Sequence, residues 1–131
     1  MGSADVSAVA LWSGRILTAI ASIFLLVDAM GKIMKVQQVV EGTQNLGYPE
    51  SIVQGLGILL LACTAVYLFP RTTVVGAVLL TGYLGGAVAT HVRVSSPWLT
   101  HVLFPVYLAA FIWGGLLLRL PRVASVIPWM E

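Results

Sequence analysis

The stretch PRTTVVGAVLLTGYLGGAVATHVR, Pro70 to Arg93, decides the fold, because the nineteen residues from Thr72 to Thr90 carry no charge. About 20 mostly apolar residues, each rising about 1.5 Å, cross a hydrocarbon core of about 30 Å, so this segment reads as a membrane-spanning helix. The run stops at His91 and Arg93, and His101 opens the next apolar stretch. Polar groups therefore gather at one membrane face.

The rest of the chain repeats the pattern. Apolar segments at about Val9 to Met34, Ile52 to Phe69, Thr72 to Val92 and Trp98 to Leu118 predict an all-α polytopic membrane protein, a bundle of four transmembrane helices forming one domain over residues 1–131. Charged residues make up 9% of the chain against about 25% in soluble domains, and mean hydropathy is +0.97. Helices are the expected solution because unpaired backbone groups in lipid cost several kcal/mol each. The first segment lacks a preceding basic region and reads as an anchor, not a removable signal. Pro70 leaves only a tight turn between the second and third spans, so those two are antiparallel neighbours. Thr72 or Thr73 suits the cap of the third helix, and Ser96 with Pro97 suits the start of the fourth. The long connection from Lys35 to Ser51 contains GTQNLGYPES, whose Gly, Asn and Pro residues favour turns. It is long enough to fold over the bundle mouth.

Small residues recur at intervals of four: Gly14, Thr18 and Ser22, then Gly82, Gly86 and Thr90, then Ala110 and Gly114. Such stripes let helices approach closely in lipid, and packing within one bundle is the expected use, with a homo-oligomer interface as the other. Arg15, Arg71, Arg119 and Arg122 fall on one side and Lys32, Lys35 and Arg93 on the other, which favours cytoplasmic termini. The scattered charges, net +2, form no stripe for nucleic acid. Cys63 stands alone, which excludes an internal disulfide.

An up-down bundle brings Asp28, Lys32, Gln54, His91, Arg93 and His101 to one face, with Glu41 and Tyr48 on the long loop as a lid. Asp28 and Lys32, four residues apart, share a helix face and can pair. Lysine can snorkel outward whereas the short Asp28 cannot, so the aspartate needs a partner, a proton or a hydrated cavity. Ionisable residues within a membrane suggest function, although near a helix end they also serve as interfacial anchors or scaffolding ion pairs. Pro105 removes a hydrogen bond to the His101 carbonyl and predicts a kink there. No HExxH, Glu-x-x-His or cysteine cluster appears, so no metal is expected, and the histidines suit hydrogen bonding or proton exchange. Trp12, Trp98 and Trp129 fall near span ends, where aromatic rings line the lipid interface. Trp113 and Tyr83 lie deeper, where a quinone ring could stack on them, although ordinary packing is the simpler role.

Three runs carry a family likeness: Val39 to Thr72, with LGYPES and YLFPRT; Leu79 to Arg93, ending GGAVATHVR; and His101 to Arg119. The chain from about Asp28 resembles the DoxX-like family of small bacterial four-helix membrane proteins. The resemblance implies a bacterial inner membrane location. It also implies an association with redox chemistry, since the family takes its name from a small subunit of a thiosulfate-oxidising, quinone-reducing enzyme; animal relatives are linked to receptor assembly. Members often carry a glutamate in the second helix after an LGI segment, whereas this chain continues with Leu59, Leu60 and Leu61. Two expectations follow. One is a subunit without a covalently bound cofactor that binds a quinone or other lipid-like ligand at Asp28, Lys32, Gln54, His91, Arg93 and His101, beside a partner membrane oxidoreductase. In it Arg93 or Lys32 stabilises an anionic head or reduced quinone, Asp28 holds the cation and a histidine exchanges protons. The other is an assembly factor or structural subunit packing against a larger membrane protein.

Overall fold

The computed structural model describes residues 7–126. Trp129, expected at a lipid interface, lies outside the described residues. Four helical units are long and apolar enough to cross a membrane: Ala8–Ile33, Glu50–Leu68, Thr73–Arg93 and Trp98–Arg119. The helices are α1 (Ala8–Ile33), α2 (Gln37–Asn45), α3 (Val53–Leu68), α4 (Thr73–Arg93), α5 (Phe104–Arg119) and α6 (Pro121–Ala124). The expected span limits differ from these by only a residue or two, because the charged and prolyl residues that bound the apolar runs also end the helices.

The long helices form an antiparallel ring in which α1 packs against α3 and α5, and α4 closes it against the same two. Residues at helical spacing face its centre: Ala21, Leu25 and Ala29 from α1; Leu60, Cys63 and Tyr67 from α3; Ala77, Leu80 and Leu84 from α4; Leu108, Ile112 and Leu116 from α5. The opposite faces are also apolar. Ile23 and Val27 on α1 are 63% and 68% exposed, which suits a bundle whose surroundings are hydrocarbon.

The closest helix contacts involve Gly14, which the regular stripes singled out, and Gly57, Gly76 and Gly115, which they did not. A Cβ on Gly115 would meet the Gly14 carbonyl oxygen at 2.9 Å, so α1 and α5 touch backbone to backbone. One on Gly57 would meet the Ala29 carbonyl oxygen at 2.8 Å, and one on Gly76 would strike the Tyr67 backbone. Tyr67, buried in the core, donates its hydroxyl hydrogen to the Ile112 carbonyl at 3.0 Å. By contrast, a Cβ on Gly82 or Gly86 would meet nothing within 4 Å. That stripe on α4 borders a cleft, not a neighbouring helix.

Local structure departs from expectation in three places. Gly42 to Asn45, read as turn-forming, belong to α2, because Val40 and Thr43 bury one face of a short helix. Thr72 occupies the N-cap position of α4, but its side chain makes no capping bond there. Its hydroxyl donates to the Val66 carbonyl at 2.7 Å, satisfying the end of α3. The fourth span begins with a π-helical turn, Trp98–Val102, whose wide bonds include Leu103 N to Trp98 O at 2.9 Å, before α5 starts at Phe104 with Pro105 in its first turn. The interruption that Pro105 predicts is therefore a change of helix type.

Candidate functional site

At the end of the bundle where α1 and α4 finish, a cleft of about 780 Å³ opens between α1, α4, the π turn and α2. Its deep wall is apolar, with Phe24, Leu25, Leu84, Phe104 and Leu108. Its polar wall contains Asp28, Lys32, Thr43, Tyr48, Thr90, His91 and His101. Such a volume, mostly apolar with a few convergent polar groups, is that of a small-molecule site.

Four of the six ligand residues expected from the sequence stand on the polar wall. Lys32 donates from Nζ to Asp28 Oδ2 at 2.6 Å, one turn apart, with side chains 13% and 33% exposed respectively. This pairing supplies the counter-charge that the short aspartate needs. His91 and His101 meet edge to face with ring centroids 5.8 Å apart. Each uses Nδ1 locally, His91 with Ser96 Oγ at 3.0 Å and His101 with Thr100 Oγ1 at 2.8 Å, so neither Nε2 is committed to a hydrogen bond among the described residues. Ser96 thus holds an imidazole, not the start of the next helix, which Pro97 precedes instead. No group of three or more His, Cys, Asp or Glu side chains converges among the described residues.

Tyr48 arrives from the loop after α2. Thr90 gives its hydroxyl hydrogen to the Gly86 carbonyl at 2.8 Å, which leaves the Tyr48 phenol to donate to Thr90 Oγ1 at 2.9 Å. The loop bearing Tyr48 thereby closes over the cleft, and α2 forms part of its wall through Val39, Gly42 and Thr43.

Three other expected residues face elsewhere. Gln54 donates to the Ile33 carbonyl at 3.1 Å and ties α3 to the end of α1. Arg93 donates to the Leu46 carbonyl at 2.9 Å and lies against Gly47, whose φ of 95° suits glycine and whose missing Cβ leaves room for the guanidinium. Glu41, on the exposed side of α2, accepts from Gln37 Nε2 at 3.1 Å. None of the three lines the cleft. Tyr83 does, whereas Trp113 donates from Nε1 to Thr81 Oγ1 at 2.7 Å across α4 and α5.

Sequence reasoning did not place Tyr83, Thr43, Gly82 and Gly86 together on a cavity wall. Interval-of-four glycines are the same signal whether they admit a helix or a ligand. Only the distance to the next element separates the two.

A sequence model of the DoxX-like family matches residues 16–115, most of the chain and all of the cleft-bearing part. The chain belongs to the DoxX-like family. Comparison with curated proteins and with solved structures finds no match. The DoxX-like match spans α1 from Ile16 onward, the α2 loop, α3, α4 and α5 as far as Gly115, so the cleft lies wholly within it, as do Thr18 and Gly115 of the α1–α5 seam but not Gly14.

Proposed function

We propose that this DoxX-like protein binds a quinone or another lipid-like ligand in the cleft, as a membrane subunit beside a redox partner. One observation carries the reading: a paired Asp28 and Lys32 and two imidazoles with uncommitted Nε2 atoms face the same space as an apolar wall. A quinone ring with its carbonyl oxygens needs that combination of hydrogen-bond donors and carbon surface. In this role Lys32 or a histidine donates to a carbonyl oxygen, Asp28 keeps the lysine in place, and a histidine exchanges a proton with the head. Gln54 and Arg93 act indirectly, by fixing the ends of α1 and the loop that carries Tyr48. Electron transfer over a distance would belong to a partner oxidoreductase. We place the protein in a bacterial inner membrane with cytoplasmic termini, so that the cleft opens toward the outer side.

The alternative, an assembly factor or structural subunit, would pack its small-residue faces against a larger membrane protein. Gly14 packs instead against Gly115, and Gly82 and Gly86 border the cleft, which favours ligand binding.

Native mass spectrometry of the protein released from mild detergent tests the proposal. A retained small molecule of defined mass is expected in the natural protein and lost in Asp28→Asn and His91→Ala variants that remain folded. A chain that carries nothing, and folded variants indistinguishable from it in binding decylubiquinone, would refute it.

A further inference from the structure

A smaller groove of about 280 Å³ lies between α1 and α5, walled by Ile20, Phe24, Phe104, Tyr107, Leu108 and Phe111. Its lining is wholly apolar. Phe24, Phe104 and Leu108 also wall the cleft, so the two spaces share one partition. Within it, the Phe24 and Phe104 rings stand 4.9 Å apart between centroids, tilted by 57°. Phe104 is the first residue of α5, one residue beyond the π turn, and the next residue, Pro105, returns no amide hydrogen to the preceding turn. This ring therefore sits where the fourth span is least tied along its backbone. On the far side, Ile20 and Tyr107 are 49% and 43% exposed, on the surface that faces hydrocarbon.

The charges on the cleft wall cancel. Lys32 and Asp28 pair with each other, and among the described residues no other Asp, Glu, Lys or Arg lines the space. A ligand head with a net charge would therefore be desolvated there without a counter-ion.

We infer that the occupant is an amphiphile with an uncharged, hydrogen-bonding head and a hydrocarbon tail. The head occupies the cleft, and the tail enters the groove between α1 and α5 where the Phe24 and Phe104 rings, in contact at 4.9 Å without it, part to admit it. This rests on the ligand-binding reading above and adds the ligand's shape, its charge and its route. A tail kept within the cleft would compete with the head for the apolar deep wall and beyond it would lie against the ion pair, Thr43, Thr90 and the imidazoles, whereas the groove offers it only carbon. Lipid is as apolar as the groove, so the tail gains little affinity by entering it. The groove is an exit that allows the head to seat.

That distinction sets the test. Decylubiquinone and its tailless benzoquinone counterpart are titrated against the full chain in nanodiscs, as the natural protein and as Ile20→Trp, with folding checked by thermal unfolding. An indole in the groove is expected to weaken decylubiquinone binding roughly ten- to hundredfold, the scale of an overpacked site, and to leave the tailless compound unchanged. Unaltered decylubiquinone binding, as when a bulk lipid chain fills the groove, overturns the tail route and leaves the cleft reading intact. Equal loss of both compounds overturns the route as well. If neither compound binds the natural protein, both readings fail. A decylubiquinone carrying a diazirine at its tail end provides a check without substitution. Labelling at Ile20, Tyr107 or Phe111 is expected, and labelling confined to the opposite face of the bundle overturns the route.

Discussion

Adding one methyl group at Gly115 should harm this protein far more than adding the same group at Gly86. At Gly115 the new Cβ would lie 2.9 Å from the Gly14 carbonyl oxygen and 3.0 Å from the Thr18 amide nitrogen, and would strike the Thr18 hydroxyl. Ordinary contact begins near 3.4 Å, so α1 and α5 must separate by about half an ångström. Backbone atoms cannot rotate aside as a side chain tip would. A gap of that size removes roughly a quarter of each dispersion contact along the seam, and overpacking of this kind costs about 1–3 kcal/mol. At Gly86 the methyl group meets nothing within 4 Å, and alanine is favoured over glycine in a helix by up to about 1 kcal/mol. Thermal unfolding in one detergent, followed by tryptophan fluorescence, should therefore lower the midpoint of Gly115→Ala and hold or raise that of Gly86→Ala. Equal loss in both variants, or none at Gly115, would refute the assignment of one glycine to a helix seam and the other to a cavity wall.

Two further outcomes are expected. Lys32→Met leaves Asp28 without its partner and should cost up to about 3 kcal/mol, less than for a fully buried pair because a third of the aspartate side chain is exposed. Adding Asp28→Leu to it should recover most of that loss in the same unfolding measurement. Ser95 closes the end of α4 at a φ of 59°, where its neighbour Ser96 donates to the His91 carbonyl at 3.0 Å, and Ser95→Gly should raise stability by up to about 1 kcal/mol. Denaturant titration detects a change of that size, and a loss of stability would mean that the serine side chain contributes more than its backbone strain costs.

Much of the fold could be read from the sequence because hydrocarbon imposes one rule. Backbone groups must pair within a segment, so Val74 to Ala89 has no alternative to a helix, and Pro70 leaves no room for anything but a reversal. The grouping of Asp28, Lys32, His91 and His101 followed from counting spans, since alternate ends of successive helices must meet. What the sequence could not supply was direction at shorter range. Arg93, Gln54 and Glu41 fall at the right level of the bundle, yet turn to the Leu46 carbonyl, the Ile33 carbonyl and Gln37. Hydropathy fixes depth, whereas rotation about a helix axis depends on which unpaired carbonyl lies nearby. The short helix α2 was hidden for a similar reason. Gly42 and Asn45 are poor helix formers, and burial of Val40 and Thr43 against the bundle outweighs their preference.

The two ends of the bundle differ in how α4 is fastened. Toward the termini, α1 meets α5 at Gly14 and Gly115, and α3 meets α4 at Gly76 and Tyr67, by contact of main chain with main chain. Around the cleft, α1 and α3 still meet in this way at Ala29 and Gly57, but the end of α4 is attached to the α2 loop through Tyr48 with Thr90 and Arg93 with Leu46, hydrogen bonds between groups that water or a ligand can replace one for one. Steric seams have no substitute partner, whereas polar links can be exchanged. The molecule thus behaves as a riveted base with a laced mouth. An entering head group could unfasten the laces in turn, and the rivets would keep the four spans together while it did so.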